Sequence, residues 1–341
     1  MSDEKKGFEE EDYQNYLKES LNEVSGVHPY SEKSQTEIVT IGKNMARRTN
    51  IMISLAILLL IVPIMTLSTY MYYAIGGKAE HLIDVVTKTI YVTEPNMGLE
   101  KLRLEDEIGF FSMNIKFDVF KRIGKEDYKA GNYEIDFLLD QPSFPKKDML
   151  LDRPLPEFPS EETEAMVHPD ARIPFIESDQ WDILKKIPDG TVAEVYVSLN
   201  KVMKPEELKN SLPKDMELRW LAVDTGMDAA QVDKDGVPIT PLGYPAQYDP
   251  TIWSPFRTDD GSNEEVFLDI ISLLSKNEVV AEKVARAKSL SLESRLAYIK
   301  KHGIKVYGAV ITGPKEELRK LQDVKDIRAM KVGEVKLWNW E

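Results

Sequence analysis

The sequence of 341 residues contains no cysteine, and this absence excludes several kinds of site at once. Disulfide bridges, thiolate zinc ligands and cysteine nucleophiles all require the missing side chain, and we expect no redox chemistry. Long basic runs are also lacking, because no run of Lys and Arg exceeds two residues and the net charge is -14. Since phosphate contacts come mainly from clusters of Lys and Arg, we expect no nucleic-acid partner.

Motifs of catalysis and metal binding are scarce. The histidines stand alone, without a second histidine one helical turn away, at His28, His81, His168 and His302. We expect each of them at the surface or in a turn, and no metal site. The pattern Ser-x-x-Lys occurs at Ser2, Ser143, Ser198 and Ser211. No Lys-Thr-Gly or Ser-Asp-Asn accompanies it, and there is no Gly-rich phosphate loop. We therefore predict a protein that is not an enzyme, with no catalytic residue and no cofactor.

One long apolar run, over residues 51–75, carries no charge at all. At about 1.5 Å per residue, a helix of that length exceeds the roughly 30 Å hydrocarbon layer of a bilayer. A buried core helix or a cleavable signal peptide are the alternatives, but the run follows a long polar leader, which a signal peptide would lack. We predict a single transmembrane helix over residues 49–76. Its predicted membrane-interface residues are Tyr70, Tyr72 and Tyr73.

Basic side chains lie unequally on the two sides of this run. Those that precede it closely are Lys43, Arg47 and Arg48. Those that follow it, Lys78 and Lys88, are interspersed with acidic side chains. Because cytoplasmic flanks carry the excess of Lys and Arg, these residues determine the predicted topology. The N-terminus is expected in the cytoplasm and the larger C-terminal part outside the cell membrane.

The acidic tail, residues 1–48, carries apolar residues spaced mainly three to five apart, which predicts one amphipathic helix. The members of this apolar stripe are Phe8, Tyr13, Tyr16, Leu17, Leu21 and Val24. A lone helix is marginal in water, so we expect a partner protein to cover the stripe. The alternative is a weakly structured tail near the bilayer, which repulsion between acidic side chains and anionic lipid disfavours.

The part beyond the membrane changes character along the chain. Residues 77–140 are expected to form a β-rich section, with strands over residues 85–93 and 133–139. Residues 141–172 are rich in proline and acidic residues, which is typical of an extended linker. We predict a separate α+β domain over residues 173–341.

Two similar segments in this C-terminal domain predict its fold. The first runs through VAEVYVSL, KPEELKNSL and MELRWLAV, and the second through IKVYGAVITG, PKEELRKL and IRAMKVGEVKLW. Each reads as strand, helix and strand, with Pro205 or Pro314 at the helix start. Two such units make a ferredoxin-like split β-α-β sheet, although another α+β arrangement stays open for the second. Apolar residues at helical spacing over residues 263–303 predict a helical insertion between them.

Four stretches of this sequence carry a family resemblance. They are KHGIKVYGAVITGPKEELRKLQ, the ending VGEVKLWNW, the turn PLGYP and the membrane passage LSTYMYYAIGGK. In these the chain resembles the sigma factor regulator family, and most of all the anti-sigma-M factors of bacillus-type bacteria. The resemblance implies a membrane anti-sigma factor whose tail holds an extracytoplasmic-function sigma factor away from RNA polymerase. It also implies that the outer domain reports on the cell envelope. The His and Cys motif of zinc-binding anti-sigma factors is missing.

Two other functions stay open at this point. The chain could be a membrane-anchored assembly protein or ligand-binding protein that acts wholly outside, or a sensor with a different cytoplasmic partner. Another membrane protein is a further open partner besides the sigma factor and the lipid bilayer. The sequence predicts neither the inducing signal, nor the oligomeric state, nor whether release is conformational or proteolytic.

Overall fold

The structure is a computed structural model. It describes residues 14–21, 32–100, 105–150, 166–171, 180–230, 232, 236–249, 253–256 and 261–340. Its internal contacts divide the chain into two compact units, Met1–Ile64 and Met65–Glu341.

The N-terminal part of the chain is helical where it is described. Residues 14–21 form a short helix, and helix α1 runs over Glu32–Tyr70. The division between the two units falls inside α1. Pro63 lies within α1, where helices that cross membranes tolerate proline better than soluble ones do. The chain continues as a π-helical turn, Met71–Ile75.

Helix α2, Lys78–Thr93, follows this turn and precedes an antiparallel sheet. The strands of this first sheet are β1 (Met97–Leu99), β2 (Glu105–Ile108), β3 (Ser112–Ile123), β4 (Glu126–Leu138), β5 (Gln141–Pro142) and β6 (Lys146–Met149). The long hairpin of β3 and β4 forms its centre, with β1 and β2 beside β3, and β5 and β6 beside β4. Residues alternate between buried and less buried along β3, as a strand with one covered face requires.

A second antiparallel sheet belongs to the C-terminal part of the chain. Its elements, in chain order, are α3 (Gln180–Lys186), β7 (Thr191–Met203), α4 (Pro205–Ser211), β8 (Glu217–Val223), β9 (Gly243–Pro245), α5 (Asn263–Ser275), α6 (Glu278–Val284), α7 (Leu292–His302), β10 (Val306–Pro314), α8 (Lys315–Arg319) and β11 (Ile327–Leu337). The strand order is β11-β7-β10-β8-β9. Every residue of β10 is buried, which places this strand in the centre of the core.

The predicted local features of the second sheet are confirmed at several points. Helix α4 begins at Pro205, and α8 begins directly after Pro314. Helix α5 lies in the predicted helical insertion, and the structure adds a capping box at its start, in which Ser262 and Glu265 satisfy each other's backbone N–H groups. Helix α7 ends at Gly303, which has a φ of 76°. Glycine adopts a positive φ more easily than other residues because it has no Cβ.

The strand predicted over residues 85–93 is wrong, because these residues belong to helix α2. The run is rich in Val, Ile and Thr, which favour strands. Because a short helix that is buried on most sides is apolar all round, its apolar residues do not show the helical spacing that would identify it. Helix α2 packs against β1, β9, α5 and α6, so nearly its whole circumference is covered. Tertiary packing therefore overrides the β preference of its side chains.

The stretch predicted as a linker begins with ordered strands. Strands β5 and β6 both pair with β4. Beyond residue 150, only residues 166–171 of the predicted linker are described. The linker boundary at residue 141 stays a prediction.

Candidate functional site

Three residues of the predicted sigma-factor contact lie on the helix of residues 14–21 and are open to solvent. Tyr16 is 75% exposed, Leu17 39% and Leu21 60%. Leu17 and Leu21 are one helical turn apart and therefore share a face. The other three predicted residues, Phe8, Tyr13 and Val24, lie outside the described residues.

Helix α1 carries the predicted topology determinants and the apolar run. The basic residues Lys43, Arg47 and Arg48 are exposed. The helical stretch Lys33–Ile75 is long and apolar enough to cross a membrane, and none of its most apolar window is buried within the chain. A core helix of a soluble protein would bury such a surface, so these exposed apolar side chains are typical of a membrane span.

The end of α1 and the π-helical turn after it are each fastened to the first sheet by one side-chain hydrogen bond. Thr69 is buried, and its Oγ1 accepts from the backbone N–H of Phe111 over 3.1 Å. Tyr73 is fully buried, and its hydroxyl donates to the carbonyl oxygen of Leu139 over 2.7 Å. The two sheet segments are also joined to each other, because Leu139 N–H donates to Phe111 O over 3.0 Å. We call these four residues the helix clamp.

The clamp separates the three predicted membrane-interface tyrosines into two exposed residues and one buried residue. Tyr70 and Tyr72 are 54% and 38% exposed, as residues at a membrane interface would be. Tyr73 differs from them because its ring is buried in the folded domain, so it does not present its ring to lipid as an interfacial anchor would. The spacing of Thr69 and Tyr73 could have revealed the clamp, since hydroxyls four residues apart lie on one helix face.

A buried polar network joins the two sheets. Glu194 on β7 is fully buried, and its Oε2 accepts from Lys121 Nζ on β3 over 3.2 Å. Lys121 also donates to the hydroxyl of Tyr196 over 2.9 Å. Asn96 Nδ2 donates to Glu194 Oε1 over 2.6 Å. Since a buried charge is costly without a partner, these contacts fix the position of β3 relative to β7.

A second buried charge cluster joins α7 to the loop after β8. Arg295 is 1% exposed, and its Nη2 lies 3.1 Å from Asp228 Oδ1. Its Nε donates to Thr225 Oγ1 over 2.7 Å and its Nη1 to Thr240 O over 2.8 Å. The guanidinium therefore connects three separate points of the chain, with its charge balanced by one carboxylate.

His168 is buried beside this cluster, so it is not a surface residue, and it begins a turn in which Ala171 N–H donates to His168 O over 3.0 Å. Its Nε2 lies 3.7 Å from Asp224 Oδ1, and its ring packs at a tilt against the Tyr307 ring, with the centroids 5.3 Å apart. Burial alone would raise the pKa of Asp224, but the nearby His168 ring and the hydrogen bonds from Gly226 N–H and the Tyr298 hydroxyl outweigh it and lower that pKa. The sequence could not reveal the contacts of His168 with Asp224 and Tyr307, because these residues lie far from His168 along the chain.

Comparison with known proteins identifies the family of this chain. The family model described as Sigma factor regulator N-terminal matches residues 36–128, and the one described as Sigma factor regulator C-terminal matches residues 184–334. The chain belongs to the sigma factor regulator family. The probable anti-sigma-M factor YhdL of Bacillus subtilis (strain 168) is 28% identical to this regulator over 317 residues, which cover 91% of this chain and 85% of that protein. No solved structure matches the chain.

The two family models divide the described features of the regulator between them. The N-terminal model covers the apolar run, Lys121 and three of the four clamp residues, with only Leu139 of the clamp outside it. The C-terminal model covers Glu194 and Arg295. The tail before residue 36, with Tyr16, lies outside both models.

Proposed function

We propose that this regulator is a membrane-anchored anti-sigma factor that binds an extracytoplasmic-function sigma factor through its N-terminal tail. The support that carries this proposal is the match of both family models, together with similarity to a relative named as a probable anti-sigma factor. The contact residues we propose are Phe8, Tyr13, Tyr16, Leu17, Leu21 and Val24.

The exposed tail residues support a protein partner. Tyr16 and Leu21 are more than half exposed on a helix of residues 14–21, which is too short to be stable by itself in water. A partner that buries a leucine side chain fully gains about 1.5–3 kcal/mol from that side chain before other binding costs. Covering this stripe would therefore stabilise both the helix and the complex. The acidic flanks suit a basic partner surface.

The topology we propose places the tail in the cytoplasm, where a sigma factor is found. Lys43, Arg47 and Arg48 support this orientation because they precede the apolar run and are exposed. The layout follows as tail 1–48, membrane helix 49–76, proximal section 77–140, linker 141–172 and C-terminal domain 173–341. The parts after the membrane helix would lie outside the cell and respond to signals from the envelope.

We further propose that the second sheet is a ferredoxin-like split β-α-β arrangement. Two β-α-β units, β7-α4-β8 and β10-α8-β11, and the strand order β11-β7-β10-β8 support this assignment. Helices α5, α6 and α7 would be the insertion between the units. We propose a sensing domain without catalytic activity, and the match to a family described as regulators supports this.

The decisive experiment captures the full chain from detergent-solubilised membranes and measures binding of purified extracytoplasmic-function sigma factors. Tyr16→Asp and Leu17→Asp place a charge in the stripe, and each should weaken binding by roughly 30-fold or more if the residue is a hot spot. Asn15→Asp is the matched control. It adds the same charge on the side of the helix opposite Leu17, because two residues correspond to about 200° of rotation.

Wild type and Asn15→Asp should bind the same sigma factor with similar affinity. If wild type binds none, or if the two stripe variants bind as tightly as wild type, the proposed contact is refuted. Failure of wild type to bind would favour a function wholly outside the membrane.

A further inference from the structure

Two neighbouring loop tips of the first sheet present large apolar side chains to the solvent. Phe110, just before β3, is 56% exposed, and its ring packs edge to face against Phe111 at 4.8 Å. Leu138 and Leu139, at the end of β4, are 64% and 41% exposed. Contiguous exposed apolar groups of this kind mark an interaction surface. We call Phe110, Leu138 and Leu139 the apolar tips.

The apolar tips are held beside the end of helix α1 by the helix clamp. Phe110 is next to Phe111, whose N–H donates to Thr69, and Leu139 O accepts from Tyr73. Because Thr69 and Tyr73 are both buried, these attachments are part of the packed domain. The tips are therefore fixed at the level of Thr69 along the helix axis.

The length of the apolar run places Thr69 at a membrane surface. The run begins at residue 51, and residues 51–68 of the helix rise about 27 Å, close to the roughly 30 Å hydrocarbon layer. The next turn, which starts with Thr69, therefore reaches the layer of lipid headgroups. Aromatic side chains are favoured at this depth, and exposed Tyr70 and Tyr72 lie in the same segment.

We propose that the apolar tips insert into the headgroup layer of the phospholipid bilayer beside the membrane helix. The folded domain then rests directly on the lipid instead of standing away from it on a tether. The exposed Asp140 next to Leu139 limits the depth, because its carboxylate stays among the hydrated headgroups. This inference rests on the proposed membrane span and is independent of the sigma factor.

The absence of cysteine provides a clean test, because each introduced cysteine is unique in the chain. Phe110→Cys and Leu138→Cys are spin-labelled in the full chain, which is reconstituted into vesicles of phosphatidylcholine and phosphatidylglycerol. The ratio of the label's accessibility to oxygen and to a nickel chelate reports its depth. Both positions are exposed, so the label displaces little packing.

Two further positions serve as controls. Leu58→Cys lies within the apolar run, so its label should give the high oxygen-to-nickel ratio of the hydrocarbon layer. Leu337→Cys replaces a residue that is 81% exposed, so its label should give the low oxygen-to-nickel ratio of water. Leu337 belongs to the far end of the domain, because nearby Asn339 donates to Ile123 O at the end of β3. The 12 residues of β3 separate that end from Phe111 by about 40 Å.

The oxygen-to-nickel ratio at positions 110 and 138 should be several-fold higher than at position 337 and lower than at position 58. A ratio at 110 and 138 equal to that at 337, with position 58 in lipid, would overturn the insertion of the tips and leave the membrane span intact. An aqueous ratio at position 58 would refute the span, and the insertion with it.

Discussion

The buried pair Lys121 and Glu194 offers a quantitative test of how the two sheets are joined. Lys121→Met keeps most of the apolar stem but removes the charge that lies 3.2 Å from a fully buried carboxylate. Breaking a buried ion pair by removing one partner costs about 3–5 kcal/mol, because the remaining charge is left uncompensated. Asn96 still donates to Glu194, so we expect the lower end, about 3 kcal/mol.

The assay is thermal unfolding of the full chain in detergent, followed by near-ultraviolet circular dichroism. At about 2 °C per kcal/mol for a large domain, Lys121→Met should lower the midpoint by roughly 6 °C. The control Lys129→Met breaks a more exposed pair with Asp118 on the same hairpin, which should cost about 1 kcal/mol or less. The double variant Lys121→Met with Glu194→Gln removes both charges and should recover part of the loss.

The reasoning is refuted if Lys121→Met is no more destabilising than Lys129→Met. It is also refuted if the stability lost by the double variant equals the sum of the losses measured for Lys121→Met and for Glu194→Gln alone, since the two residues would then be independent.

Two further predictions concern the loop after β8. Asp224 has a lowered pKa in the folded protein, so its stabilisation is present near neutral pH and is lost as the pH falls below its usual value of 3.8. Unfolding midpoints from pH 6 to pH 3 should fall less steeply for Asp224→Asn than for wild type, and parallel curves would contradict this. Gly226 has a φ of 82°, and an added Cβ would lie 2.5 Å from the ring of Tyr298. Gly190 shares the positive φ but faces open space. In urea unfolding, Gly226→Ala should therefore lower the free energy of unfolding by about 1–3 kcal/mol more than Gly190→Ala does. Equal losses would show that the contact with Tyr298 has no effect.

Sequence reasoning succeeded where the information is local. The apolar run needs only its length and composition to be recognised, and the helix starts at Pro205 and Pro314 follow from the missing N–H of proline. The helix end at Gly303 depends in the same way on one residue and its neighbours.

It failed where the outcome depends on distant partners. Helix α2 has the side chains of a strand, and only its neighbours in the core decide its conformation. The partner of Glu194 lies 73 positions away on another sheet, and no local pattern marks it. The sequence also does not show that Tyr73 is buried, with its hydroxyl bound to the carbonyl oxygen of Leu139, 66 positions away.

Strand β3 connects the two ends of this domain physically. Near one end, Lys121 donates to Glu194 of the second sheet, and directly before the other end, Phe111 donates to Thr69 of helix α1. A signal that acts on the second sheet must favour one of two states through different affinities. Between the two attachment points the pairing of β3 with β4 shifts register at Val119 and Phe120. A bulge of this kind concentrates bending in one place. If the two states differ in the bend of β3, we expect the difference at this register shift, and its effect would reach helix α1 through Thr69.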